Sequence, residues 1–281
     1  MSKLGDPLEK LDSAINWNIF EVTLSNAFNT AEVNKSKGGR PPFSRIMLFK
    51  AMILQSLYNL SDDQLEFQII DRASFKRFLG LKRSDKVPDS KTFWHFREQL
   101  TKSKLIEKLF DRFGEALQNA GIQANEGKMI DASFVEVPRQ RNTREENKHI
   151  KETGTAPEAW SENRHKMAQK DIDATWTEKN GDTFFGYKNH VKADAKTKFI
   201  ERYVVSTASL HDSKTVEKLL ENEDEYQPLY ADSAYSGKPV EEILDARNVI
   251  GMIHEKGARN NPLTDEQKTL NKIKICSQSK S

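Results

Sequence analysis

Near Gly127 the apolar pattern of this chain changes period, and that change limits the possible folds more than any other feature. Up to about residue 126 the apolar side chains recur at helical spacing. Phe43, Ile46, Met47, Phe49, Lys50 (through its stem), Ile53, Leu54 and Leu57 form one such face behind the start signal Pro41-Pro42. Ser61 with Gln64 three positions on is a capping box, opening a helix through Leu65, Ile69 and Ile70. Phe75, Phe78 and Leu79 follow, closed by Gly80, and Pro88-Asp89-Ser90 opens another helix with Phe93, Phe96, Arg97 and Leu100. A further helix spans about Ser103 to Asn119 and stops at Gly121. Short helices with tight links predict an all-α bundle, with room for a helix-turn-helix pair.

After Gly127 strands enter. Lys128 to Val137 reads as a strand ended by Pro138. A polar, Arg-rich stretch, 139–182, follows, with helical character between Ala156 and Gln169. Strand signals return at Thr183–Ala193 and Phe199–Thr207. A helix opens at Asp212 with Val216, Leu219 and Leu220 on one face. Strand Pro228–Asp232, helix Val240–Arg247 and strand Val249–His254 come next, and Thr264 with Gln267 starts a last helix. The tail Ile275–Ser281 has no pattern. Three strands in meander, then strands joined through helices, is the order of an RNase H-like mixed sheet. The expected fold is α+β, with a helical domain over 1–126 and an RNase H-like core over 127–281.

Composition narrows the function classes. No run of 18 apolar residues exists, so no membrane span is expected. Met1 to Lys10 lacks the apolar core of a signal peptide. The one cysteine, Cys276, excludes an internal disulfide and a Cys-rich zinc site, so a reducing cytoplasm is the simplest compartment. Net charge is +2, which does not by itself announce nucleic acid. Between Arg139 and Lys170, eight Lys/Arg stand against five acids, a pattern that fits a solvated loop or a phosphate contact equally well.

Two aspartates stand at the ends of apolar runs: Asp131 in Met129-Ile130-Asp131-Ala132-Ser133, and Asp232 in Leu229-Tyr230-Ala231-Asp232-Ser233. A buried unpaired carboxylate costs several kcal/mol, roughly, and so calls for a partner or a metal. The bland alternative is a strand-end aspartate that caps a turn. Adjacent strand ends would bring both carboxylates to one hard cation such as Mg²⁺, which prefers oxygen ligands. Cations held this way suit phosphodiester chemistry, activating the attacking oxygen and stabilising the leaving one. Lys188 and His190 alternate on one strand and share a face, either toward a phosphate near Asp131 or toward solvent on an edge strand. His211-Asp212-Ser213 is contiguous, which argues against a catalytic triad and for Asp212 as a helix N-cap. Tyr235 either meets DNA or packs, and Phe93, Trp94 and Phe96 read as core. Gly38-Gly39-Arg40-Pro41-Pro42, with Lys35 and Lys37 before it, reads as a linker or as a minor-groove arm.

Taken in order, five segments resemble bacterial DDE transposases of the IS5 type. They are Pro88-Asp89-Ser90-Lys91-Thr92-Phe93-Trp94-His95-Phe96-Arg97, the Asp131 segment, Phe185-Gly186-Tyr187-Lys188-Asn189-His190, Thr207-Ala208-Ser209-Leu210-His211-Asp212-Ser213, and Tyr230-Ala231-Asp232-Ser233-Ala234-Tyr235-Ser236-Gly237. The resemblance implies metal-dependent DNA cleavage and strand transfer at terminal inverted repeats, with Mg²⁺ or Mn²⁺ held by Asp131 and Asp232 as catalytic residues. It further implies double-stranded DNA, both element ends and target, as partner, contacted by Lys188, His190, Arg139, Arg141 and Arg40. A homodimer and a cytoplasmic, nucleoid-associated location follow from the same resemblance. In the family a glutamate on an Arg-x-x-x-Glu-like helix supplies the third acid. Here Leu263-Thr264-Asp265-Glu266-Gln267-Lys268 leads into Asn271-Lys272-Ile273-Lys274-Ile275-Cys276 without that motif, and Glu255 and Glu266 read as surface residues. The expectation is therefore a truncated core lacking its final helix and severely impaired in strand transfer. The alternative is a DNA-binding repressor of the parent element; a two-acid nuclease ranks last.

Overall fold

Two units partition the chain, residues 1–120 and 121–281. The structure, a computed structural model, describes residues 5–27, 42–119, 121, 126–140, 142–179, 181–257 and 262–280, with the side chains of 164 and 275–280 outside it. Lys35, Lys37, Arg40 and Arg141 fall outside the described residues.

In the first unit the helices are α1 (Pro7–Ala14), α2 (Glu21–Ala27), α3 (Arg45–Tyr58), α4 (Asp62–Asp71), α5 (Ala73–Phe78), α6 (Ser90–Lys102) and α7 (Leu105–Asn119). Their starts are chemically determined. Ser44, Ser61 and Asp89 cap α3, α4 and α6 with side-chain oxygens, and the Ser61–Gln64 box is closed in both directions. Each such cap contributes about 1 kcal/mol by satisfying amides that the helix itself cannot. α3 ends at Asn59, whose left-handed φ of 50° directs the chain out of the helix. The apolar faces meet in one core where Leu24, Ala51, Leu54, Leu65, Ile69 and Phe93 lose all solvent contact. Lys50 belongs to that core through its stem, and its ammonium reaches Asp12 while lying over the rings of Trp17 and Phe78. Arg97 forms a fork on Asp62, at 2.8 and 2.7 Å, and also reaches Gln55. Trp94 departs from the expectation: it is 49% exposed and stacks on His95, because only Phe93 and Phe96 fall on the buried stripe of α6.

The second unit is built on β1 (Lys128–Glu136), β2 (Thr175–Lys179), β3 (Asp182–Asp194), β4 (Ile200–Thr207), β5 (Pro228–Ala231) and β6 (Ile250–Ile253). β3 runs antiparallel to β1 along the whole of β1, from Gly186 to Asp194. On its other side it pairs with β2 up to Gly186 and with β4 from Tyr187 onward. β5 lies parallel to β1, and β6 parallel to β5. Helices α10 (Val216–Leu219) and α11 (Lys238–Ala246) bury Val216, Leu219, Val240 and Leu244 against Ile130 and Leu229. This is the RNase H-like mixed sheet expected from the element order. β2 escaped the sequence reading because Thr175–Lys179 carries a single large apolar residue, Trp176, and so shows no alternation. α12 (Asp265–Lys280) follows β6 and runs through the stretch in which no sequence pattern is legible.

Gly186 is where β3 changes partners. Its φ is +147°, and a Cβ there would overlap the carbonyl oxygen of Val135 on β1 and stand 3.0 Å from the amide of Val137. Gly186→Ala is therefore expected to destabilise this unit by about 1–3 kcal/mol from the backbone conformation alone, with the clash adding to it. Urea unfolding measures this; an alanine variant within about 0.5 kcal/mol of the parent would refute it.

Candidate active site

β1 and β5 pair in parallel with Lys128 opposite Leu229 and Met129 opposite Tyr230. The last pair of that register is Met129 with Tyr230, and Asp131 and Asp232 each lie two residues beyond it. There the strands part: Asp131 continues in β1, paired with Val191 of β3, whereas β5 ends at Ala231. The gap lies at the carboxyl end of β5, a kind of position where open α/β sheets place their ligands. Both carboxylates are exposed to solvent. Asp131 Oδ1 accepts the Ala132 amide at 2.7 Å, and Asp232 Oδ1 accepts the Ala234 amide at 2.9 Å. The burial cost anticipated from their apolar neighbours is thus not incurred. Asp232 also fulfils the bland reading, because it caps the 3₁₀ turn Ser233–Tyr235.

Tyr235 closes that turn and is 1% exposed, so its ring packs. Its hydroxyl has no hydrogen-bond partner among the described residues. Burial, and then the charges of Asp212, Asp131 and Asp232 in that order, push the phenol far above its usual range. The group therefore stays protonated, under the influence of all three charges.

Asp212 reaches this spot from the 3₁₀ turn Asp212–Thr215, which packs against Ser233–Tyr235. It is not the N-cap of its turn; His211 is, through Nδ1 to the Ser213 amide. Asp212 instead accepts Lys188 Nζ at 2.8 Å, and the same ammonium donates to the Leu210 carbonyl at 2.8 Å. Lys188 and His190 do share a face, as predicted, but β3 is not an edge strand and the face is interior. His190 has no exposed surface to offer a phosphate, and its Nε2 lies 2.8 Å from Ser206 Oγ. Burial holds it below the usual imidazole range, outweighing the opposing pull of Asp212.

The segment 139–182 is not a solvated loop. It folds as α8 (Arg144–Thr153), capped by a Thr143–Glu146 box, and α9 (Arg164–Ala168), around a fully buried Trp160. Glu146 accepts the Trp160 indole N–H at 2.7 Å and Lys166 Nζ at 3.0 Å. Lys166 and Lys170 lie over the Trp160 ring. Gln140 to the Asp171 carbonyl, and the Tyr187 hydroxyl to the Asp171 carboxylate, fasten this insert to the sheet. Part of the basic charge is thereby internal. Arg139 remains exposed, over the Trp176 ring at 5.4 Å. The Trp160 hydrogen bond, with those from Thr143 and Lys166, holds the Glu146 carboxyl down at about 2. The stability this pair gives the insert is present above the ordinary carboxylate pKa and is lost as pH falls through about 2. The Trp160 indole proton resonance should hold its position from pH 7 to 4 and move only below that; movement centred near pH 4.5 would contradict it.

Among the described residues no three His, Cys, Asp or Glu side chains converge closely enough to grip a metal ion together. Asp131 and Asp232 remain a matched pair of open oxygen donors. That suits a hard cation which keeps several of its waters. Glu255, at the end of β6, is half-buried rather than a free surface residue: Gln267 of α12 donates to its carboxylate, and Asn271 bonds its backbone. Glu266 is exposed.

Sequence comparison gives two family matches. The family described as Transposase domain (DUF772) matches residues 1–99. The family described as Transposase DDE domain matches residues 124–280, more than half of the chain. No solved structure matches it.

Proposed function

The chain belongs to the transposase DDE domain family, and on that premise we propose that it acts in IS5-type DNA transposition, with Asp131 and Asp232 as its paired metal-binding acids. The observation that carries the proposal is that the two exposed aspartates each lie two residues past the last pair of the parallel strands β1 and β5. Asp131 and Asp232 would hold Mg²⁺ or Mn²⁺ through their open oxygens, each carboxylate fixed by a neighbouring amide. Bound there, such a cation lowers the pKa of the attacking water or 3′-hydroxyl and stabilises the leaving oxygen. The residues' part is to place negative charge where β5 ends and to leave it open to a phosphodiester.

The substrate of this reading is double-stranded DNA at terminal inverted repeats, engaged by a homodimer in the bacterial cytoplasm. No helix among the described residues is long and apolar enough to cross a membrane. Among the described residues Arg139 offers exposed surface, and Arg40 and Arg141 complete the proposed set. Lys188 and His190 are interior and leave the set of DNA contacts; Lys188 holds Asp212 instead. Neither Glu255 nor Glu266 stands in an Arg-x-x-x-Glu-like run, so neither is assigned to the site. The test is a gel shift and cleavage assay on inverted-repeat DNA with and without Mg²⁺. Binding with metal-dependent nicking supports the proposal. Binding without any nicking would leave a repressor, and no binding would overturn both.

A further inference from the structure

Four cations and an exposed tryptophan gather around the start of α6. Loop 79–89 carries Lys82, Arg83 and Lys86, and the first turn of α6 carries Lys91. All four are exposed, and among the described residues none makes an ion pair. Arg77 of α5, by contrast, is matched by Asp6 and Glu9. The acids nearest the four in sequence are occupied: Asp85 accepts the Lys82 amide at 2.7 Å, and Asp89 caps α6 through the Thr92 amide at 2.8 Å. The loop is held in place, because Lys76 Nζ donates to the Arg83 carbonyl at 3.2 Å. The helix is held from behind. Phe93, Phe96 and Leu100 are buried, Arg97 grips Asp62 of α4, and the Ser90 amide donates to Glu66 at 2.8 Å. Its outward face then presents Lys91, Trp94, His95 and Gln99, all exposed, with Glu98 and Lys102 paired at 3.4 Å further along. The face offers a single large apolar side chain, too little for the apolar centre of a protein interface. Its unpaired charge instead suits a polyanion. A helix of 13 residues is about 20 Å long, and the DNA major groove admits a helix between two rows of phosphates.

We infer that α6 is the helix that enters the major groove of duplex DNA, with Lys91, Trp94, His95 and Gln99 toward the base edges and Lys82, Arg83 and Lys86 on the phosphates. This rests on the DNA-binding part of the function proposed above and is independent of Asp131 and Asp232. Lys91 suits the acceptors of guanine, Gln99 the paired donor and acceptor of adenine, and Trp94 the methyl group of thymine. The loop cations add attraction that does not depend on sequence.

The test is fluorescence anisotropy of the full chain with a duplex of the terminal repeat of the element that encodes it, and with a scrambled duplex of equal length and composition, each across a salt series. Lys82→Ala/Arg83→Ala/Lys86→Ala should weaken both duplexes alike and flatten the slope of log K against log salt by about 2–3. Lys91→Ala/His95→Ala and Trp94→Ala should each cut the preference for the repeat by about 10-fold or more. All these side chains are exposed, so thermal unfolding should stay parental. Parental preference and parental slope in all three variants would overturn the role of α6. A loss of binding that tracks a loss of self-association in sedimentation would give this face to a second copy of the chain, and would overturn it as well. If the parent chain itself shows no preference for the repeat, the proposed function falls first, and this inference with it.

Discussion

Asp131→Asn is expected to abolish metal-dependent cleavage of inverted-repeat DNA, by on the order of 10²–10³-fold or more, while leaving the protein as stable as before. The two halves of this expectation come from the same geometry. The Asp131 carboxylate is exposed and takes one hydrogen bond, from the adjacent Ala132 amide, through an oxygen that asparagine retains. The fold therefore loses almost nothing, and an exposed change of this kind usually falls within about 0.5 kcal/mol. The site loses a full negative charge at the position that must neutralise a divalent cation, and an amide oxygen is a far weaker partner. Asp232→Asn should behave alike in catalysis. It should also keep its turn, because the amide oxygen can still accept from Ala234. Cleavage rates measured beside thermal unfolding separate the two effects. A variant that cuts DNA at the parental rate would remove Asp131 from the chemistry, and one that unfolds at much lower temperature would make it a structural residue.

Lys192→Met is expected to destabilise the second unit by about 3–5 kcal/mol without touching the site. Lys192 is 1% exposed, and its ammonium lies 2.6 Å from Asp224, 2.8 Å from Glu221 and 3.8 Å from Glu201. Glu201 also takes Lys128 at 2.6 Å, and Glu221 takes Arg202 at 2.7 Å. Three cations and three acids thus balance inside one network. Removing the central cation strands Asp224, itself 1% exposed, with no water to solvate it. Burial works to raise the Glu221 carboxyl, but the hydrogen bonds from Lys192 and Arg202 outweigh it and hold the group below its ordinary range. The contribution of Glu221 is therefore present above the usual carboxylate pKa and fades as pH falls through the lowered value. Urea unfolding at neutral pH reads the loss; less than about 1 kcal/mol would mean that the network relaxes to admit water.

The same strand shows why part of this molecule could not be read from its sequence. In Lys188, His190, Lys192 and Asp194 every second residue is polar, and alternation of that kind ordinarily marks a face turned to water. Here that face is interior, and the acids that make it tolerable, Asp212, Glu221 and Asp224, arrive from segments 24 to 32 residues further on. Local pattern cannot report partners at that distance. The features that were legible are those whose physics is local. Capping at Ser61 and Asp89, the apolar stripes of α3 and α6, and the strand–helix order after residue 200 all depend on near neighbours. Asp131 and Asp232 drew notice because both end apolar runs, although the argument from burial was mistaken: both are exposed, each two residues past the last β1–β5 pair. Asp212 was assigned a capping role because its attachment to Lys188 has no local signature. The order within segment 139–182 was hidden for a similar reason: one tryptophan, Trp160, organises a stretch otherwise too polar to suggest a core.

That small core has a kinetic meaning. β1 and β3 are adjacent in the sheet but far apart along the chain, and pairing them requires the whole intervening segment to close as a loop. Closure entropy grows with the logarithm of the freely moving length, at about 0.6 kcal/mol for each doubling. A segment that gathers itself around Trp160, with Gln140 bonded to the Asp171 carbonyl near its two ends, presents a much shorter effective loop than its residue count. The β1–β3 pair is thereby made nearly local, and its assembly can precede the arrival of β5, which pairs with β1 across a still longer stretch of chain.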